Sequence, residues 1–182
     1  MIEASNKGRT FTFASPGVGT NLHLLGELLR INAKLNMTHV PYRAFPTAFQ
    51  DVMGGRVDMV VAGVPPITGM LAAGKLKALA VTGPKRAPAL PDVPTTKELG
   101  YDDLTFVGWF GLLAPAGTPQ SILDKLAAEA KTIAALPAYR ANLEKVYVTP
   151  QGGGPAEFKA LMESETKRMG ELVNKAGVKI EQ

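Results

Sequence analysis

Residues 11–29 read FTFASPGVGTNLHLLGELL. Phe11 to Ala14 is a short apolar run suited to a strand. A turn-rich hexad follows, Ser15-Pro16-Gly17-Val18-Gly19-Thr20, and leucines then recur at helical spacing. A strand that passes through a glycine turn into a helix leaves unpaired N–H groups at the positive end of the helix dipole. Such a junction suits phosphate, sulfate or carboxylate, with the Ser15 and Thr20 hydroxyls as further donors. Two nucleotide signatures fail here. No lysine precedes Thr20, as a P-loop requires, and Leu22 stands where a dinucleotide fingerprint needs its third glycine. The bland alternative is a tight turn in which Gly17 and Gly19 only redirect the chain and Thr20 or Asn21 caps the helix.

Outward from this junction, strand and helix patterns alternate. Phe11–Ser15 is a strand and 21–36 a helix, with Leu22, Leu25 and Leu29 on one stripe and Leu24, Leu28, Ile31 and Leu35 on the next. A strand at 38–41, a helix at 46–53 and a buried strand at 57–62 follow. A short helix at 66–73 and a strand at 76–81 complete the series. This alternation predicts an α/β sheet with right-handed crossovers. The stretch 83–95 holds four prolines and reads as a long surface connection, and Thr95 stands three residues before Glu98 as in a capping box. Beyond it, 105–114 reads as a strand carrying the only tryptophan, Trp109. An amphipathic helix is expected at 119–136, a short one from Pro137 to about Lys145, a strand-like 146–148, a glycine turn at 152–154 and a long helix over Pro155–Ala176.

Composition narrows the function. There is no cysteine, which removes disulfides, thiolate nucleophiles and cysteine-bound zinc. The 20 basic and 16 acidic residues are scattered, so the net charge of +4 suits small anions and gives no nucleic-acid-binding run. The first ten residues lack an apolar signal core, and no window is apolar enough to span a membrane.

The chemistry-bearing side chains give no catalytic set. His23 and His39 have no carboxylate at metal-ligand spacing, and the expectation is one core or capping histidine and one at the surface, with no metal. Tyr42 and Arg43 follow a strand end, where ligands of α/β sheets are met, and Arg43 could fork onto a carboxylate. Asp58 is expected to bond backbone N–H groups at a strand start, while Asp51, Asp92, Asp102 and Asp103 read as caps. No serine sits in a nucleophile elbow, so an enzyme using His23 or His39 as base ranks below a binding module.

Taken in order, four further segments join the opening one: HVPYRAFPTAFQDVMGGRVDM (39–59), GKLKALAVTGPKRAPALPDVPTTKELGY (74–101), GWFGLLAPAGTP (108–119) and PAEFKALMESETKRMGELVNKAG (155–177). From about Arg9 onward the set resembles the substrate-binding proteins of tripartite tricarboxylate transporters, the bacterial Bug family. The resemblance implies a type II periplasmic-binding-protein fold, a Venus flytrap of two α/β lobes whose strand-to-helix loops grip a carboxylate like pincers. Ser15, Gly17, Val18, Gly19 and Thr20 match one pincer. Tyr42, Arg43 and Ala44 fall on the segment approaching the cleft, and Ala62 and Gly63 fall where a polar residue often selects the far end of the ligand. With alanine at 62, the expected ligand is a plain mono- or dicarboxylate rather than an amino acid. Membrane transporter subunits are the implied partners, the periplasm the implied compartment, and no cofactor is implied.

The resemblance also implies that this chain is truncated. Residues 1–8 would be a tail, 9–105 the second lobe, and 106–182 the return of the chain into a first lobe most of which, with the other pincer and the export signal, is missing. Expressed as given, such a chain would stay in the cytoplasm. Exposed sheet edges predict a homo-oligomer, and a single jaw predicts weak or lost binding. A folded fragment without a transport role is the competing expectation.

Overall fold

The computed structural model describes residues 2–178. It comprises two compact units, one holding residues up to Val107 and again from Met169, the other Gly108–Arg168.

The first unit is built on a parallel sheet. Its strands are β1 (Phe11–Ser15), β2 (Met37–Pro41) and β3 (Met59–Val60), in the order β2-β1-β3. Phe11 pairs with Met37 and Ser15 with Pro41 on one side, and Ala14 with Val60 on the other. Parallel neighbours need crossovers. Helix α2 (Asn21–Asn32) supplies the first and α3 (Phe45–Met53) the second. Helices thus cover both faces of β1, and its Phe13, Ala14 and Ser15 have no exposed surface. Phe11 and Phe13 pack with Ala33, Leu35 and Met37, whereas Ala14 packs with Ala48 and Val57. Ahead of the sheet, helix α1 (Ile2–Asn6) is tied in by Ser5, whose buried hydroxyl accepts the Asn36 N–H at 2.8 Å.

Helix α2 crosses β1 at Gly26, where an added β-carbon would lie 2.2 Å from the Phe13 ring. It stops at Asn32, short of the expected 36, because Lys34 turns to a left-handed φ of 49° and the Leu35 N–H bonds back to the Arg30 carbonyl.

Several expected strands are not formed. The run 57–62 contributes only the two residues of β3, since its start is given over to Asp58. That carboxylate instead accepts the Thr12 N–H at 2.8 Å, across 46 residues, as a strand-start aspartate bonded to backbone. The segment 76–81 makes one isolated bridge, Val81 to Thr95. At 105–114, Phe106 bonds Thr82 through both its N–H and its carbonyl, but no ladder continues among the described residues. Phe110 and Leu112 are 92% and 85% exposed. Apolar content creates a demand for burial, while a strand also needs a backbone partner. At 146–148 Tyr147 takes a φ of 56°, which breaks extension. The helix expected at 66–73 is a 3-10 turn, Pro65–Ile67, continued by α4 (Thr68–Ala72). The Thr95–Glu98 capping box is present: the Thr95 hydroxyl accepts the Glu98 N–H and the Glu98 carboxylate accepts the Thr95 N–H. It sits on a turn, with no helix behind it.

The second unit contains α5 (Gln120–Ala135), α6 (Pro137–Lys145) and the first part of α7 (Pro155–Ala176). None of its residues is buried, and its best-defined contact sets Phe158 edge-on to Trp109 with the ring against Gly111.

Candidate functional site

Because β1, β2 and β3 run parallel, their carboxyl ends share one edge of the sheet. Three loops leave from that edge: 16–20 after β1, 42–44 after β2 and 61–64 after β3. The fold therefore brings residues 15–20 and 42–44, Ala62 and Gly63 to one edge of the sheet, whereas Asp58 lies toward the other, bonded to Thr12.

The first loop is the most elaborate. Ser15 closes β1 and is fully buried. Gly17 and Gly19 have φ of 136° and 77°, values that favour glycine, so the turn depends on both. Thr20 caps α2, accepting the His23 N–H at 3.3 Å while its own hydroxyl donates to the Gly17 carbonyl at 2.8 Å. Thr20 is thus spent on the turn. Gly19 is spent too, since its N–H donates to His23 Nδ1 at 3.1 Å. The N–H groups of Val18, Asn21 and Leu22 take no partner among the described residues. They lie at the open turn and first turn of α2, where the dipole favours an anion. Val18 is exposed and its side chain points at no core cluster.

The second loop continues the ladder by one bond, the Tyr42 N–H donating to the Ser15 carbonyl at 3.0 Å. The Tyr42 hydroxyl does not face an open site. It donates to Asp51 at 2.6 Å, and Arg56 pairs with the other oxygen of that carboxylate. Asp51 is therefore a tether between loop and helix, not the cap the sequence suggested. The bond to Asp51 raises the tyrosine's pKa, and the bonds from Tyr42 and Arg56 lower that of Asp51. Arg43 is exposed and takes no partner among the described residues, leaving its guanidinium available. Ala44 caps α3 in an extended conformation without a side-chain bond. Ala62 and Gly63 follow β3, the first half-buried and the second exposed, and neither brings a charge.

Sequence reasoning missed the polar group beneath the first loop. The expectation of one interior and one surface histidine holds for His23, which is buried, whereas His39 is half-buried and stacks on it at 3.9 Å. The His39 Nε2 is 2.7 Å from the Ser15 hydroxyl, and Phe13 closes the stack at 4.9 Å from His39. His23 Nε2 lies 3.9 Å from Glu27, which in turn accepts from Arg30 at 2.7 Å. Burial pushes His39 down to about 4, with His23 adding to the effect, and burial also lowers His23 against the attraction of Glu27. Both rings are neutral near pH 7. The available signal was spacing: His23 and Glu27 are four apart on a helix, and His39 and Met37, two apart on a strand, share the sheet face that α2 covers.

No group of three or more histidine, aspartate or glutamate side chains is placed to hold a metal among the described residues, and no helix there is long and apolar enough to cross a membrane.

Residues 2–178 match the model of the tripartite tricarboxylate transporter family receptor. The chain belongs to that family. Among curated relatives, a UPF0065 protein encoded in the tcbD-tcbE intergenic region of Pseudomonas sp. strain P51 is 38% identical over 172 residues. That alignment covers 92% of this chain and 50% of the relative, so the chain spans about half that relative's length. Among solved structures, a periplasmic transporter superposes with a TM-score of 0.88 at 30% identity, covering 99% of this chain and 60% of the other. Rpa4515 of R. palustris, solved with adipate, gives 0.86 at 27%, covering 97% and 60%. MatC of Rhodopseudomonas palustris, solved with malate, gives 0.78 at 27%, covering 94% and 60%. The α/β periplasmic-binding-protein fold expected from the sequence is the fold of this family receptor, here a partial one.

Proposed function

We propose that the loops at the carboxyl edge of the sheet form one jaw of a carboxylate-binding cleft, and that the chain is the corresponding part of a periplasmic solute-binding receptor. The observation that carries this reading is the convergence of three loops on one edge around the N-terminus of α2. There the Val18, Asn21 and Leu22 N–H groups and the Arg43 guanidinium are all uncommitted. A carboxylate accepts such a set with charge-assisted bonds. Ser15, Gly17, Gly19 and Thr20 shape the turn, while Tyr42 and Ala44 set the second loop. Ala62 and Gly63 present no counter-charge for an amino group, which favours a plain mono- or dicarboxylate. The relatives solved with adipate and malate bind ligands of that class. Delivery to membrane transporter subunits in the periplasm, without chemical turnover, is the role this reading assigns to the whole receptor. Residues 9–105 correspond to its second lobe and 106–182 to the return into its first.

The test is calorimetric titration with adipate, malate and an amino acid of similar length. Binding of the dicarboxylates, lost on Gly19→Val, supports the reading; preference for the amino acid removes it. Closure of a second jaw supplies much of the affinity in two-lobed receptors, so this chain alone binds weakly. A second reading, a folded fragment that self-associates, is favoured by the exposed Phe110, Leu112 and Leu113. Light scattering decides it: a mass above 19.3 kDa that grows with concentration supports association, and a constant monomer mass excludes it.

A further inference from the structure

We infer that His23 is a positioning residue of the anion loop: its Nδ1 accepts the Gly19 N–H and so fixes the peptide planes that aim the neighbouring N–H groups at the ligand. The inference rests on the carboxylate reading above for its ligand, but its structural half stands apart from it.

The geometry constrains the proton. At 3.1 Å from the Gly19 nitrogen, Nδ1 can accept only if it carries no hydrogen. The neutral ring then holds its hydrogen on Nε2, the nitrogen 3.9 Å from Glu27. The ring itself cannot swing away, being 5% exposed and stacked on His39, whose Nε2 is held at the Ser15 hydroxyl. The two glycines in left-handed conformations would leave the loop free to rotate its peptides, because glycine resists no φ. The imidazole removes that freedom at Gly19. A side chain from the first turn of α2 thereby holds the loop that precedes it, and the Thr20 cap holds the same turn from the other side. Pre-fixing donors before the ligand arrives raises affinity by reducing the ordering cost of binding.

The arrangement also links the loop to the charge of the ring. A proton on Nδ1 would set two donors, Nδ1–H and the Gly19 N–H, against each other. The titratable groups that face His23 are Glu27 on its own helix and His39 on β2, with the Phe13 ring of β1 beside them. A second 3-10 turn, Asp102–Leu104, packs on α2 and carries Asp102 and Asp103, both exposed and paired with Lys97 and Lys175. Only Glu27 favours the protonated ring, and Arg30 already shares that carboxylate. Acidification therefore releases the loop by loss of the Gly19 bond.

The experiment compares wild type, His23→Asn and His23→Leu. Asparagine places a carbonyl oxygen near the position of Nδ1 and keeps an acceptor, whereas leucine fills volume without one. The first readout is the Gly19 amide resonance in the chain without ligand. It should stay downfield in wild type and His23→Asn, move upfield in His23→Leu, and in wild type follow pH with the titration of His23. The second is adipate affinity near neutral pH, expected to fall about tenfold in His23→Leu and to recover most of that loss in His23→Asn. A Gly19 resonance that ignores both the leucine substitution and pH overturns the inference, as does adipate affinity unchanged in a folded His23→Leu protein. If wild type binds no adipate, the carboxylate reading fails and the Gly19 resonance alone decides this one. If His23→Leu does not fold, the comparison of His23→Asn with wild type across pH decides it, since the amide oxygen does not titrate and its Gly19 resonance should stay flat.

Discussion

Gly26 of α2 lies so close to Phe13 of β1 that a β-carbon on it would sit 2.2 Å from the aromatic ring. The helix approaches the central strand at this point because a glycine is there, and the same approach puts His23, one turn earlier, over His39. Replacing Gly26 by alanine gains up to about 1 kcal/mol of helix propensity but forces the ring or the helix to move. Overpacking of this kind costs about 1–3 kcal/mol or more, and the site is fully enclosed. Gly26→Ala is expected to lower the urea midpoint and to reduce carboxylate affinity; a midpoint at or above wild type would show that the helix can shift freely.

The stacked histidines give the fold a pH dependence of defined sign. His39 falls from 6.5 to about 4 on folding, so between those values the unfolded chain binds more protons than the folded one. Stability is full above about 6.5 and declines as pH falls toward 4. Urea unfolding at a series of pH values measures it. The slope over this window should flatten in His39→Gln, and an equal slope in that variant would assign the effect to other groups.

Asp58 joins β1 to the start of the third strand segment. The Thr12 N–H bond is the main cause of its lowered pKa, with the Thr12 hydroxyl and Arg9 adding to it. Its contribution is present above the usual carboxylate range and disappears as pH falls through its lowered value. Asp58→Ala is expected to cost about 1–2 kcal/mol near neutrality. Thermal melts at neutral and at strongly acidic pH check this, the difference between variant and wild type shrinking at the lower pH.

Two neighbouring side chains on the second loop should separate cleanly. Tyr42 is committed to Asp51, so Tyr42→Phe should lower stability slightly and change carboxylate affinity little. Arg43 is uncommitted, so Arg43→Ala should leave the melting temperature within about a degree and weaken carboxylate binding about tenfold or more. The reverse pattern would exchange their roles.

What the sequence made legible follows from locality. The strand, turn and helix at 11–29, the Thr20 cap and the Thr95–Glu98 box are set by neighbours in the chain, and each is in the structure. The placement of the three loops on one edge followed from parallel topology, which alternation implies. The strands at 76–81 and 105–114 were misread because apolar composition reports burial, whereas a ladder needs a partner at a distance in sequence. The roles of His23, His39 and Asp51 were hidden for a related reason: each depends on a contact between elements. Only Gly26 had no local signal at all, since a mid-helix glycine reads as a weak point until the strand beneath it is known.

The central claim is that a carboxylate sits against the turn of residues 16–22 and Arg43. The most direct measurement is amide chemical-shift mapping of the chain during titration with adipate to millimolar concentration, where even a single weak jaw reports. Saturable shifts confined to Val18, Asn21, Leu22, Arg43 and the residues after β3 are expected. Shifts centred elsewhere, or none at these amides, would contradict it.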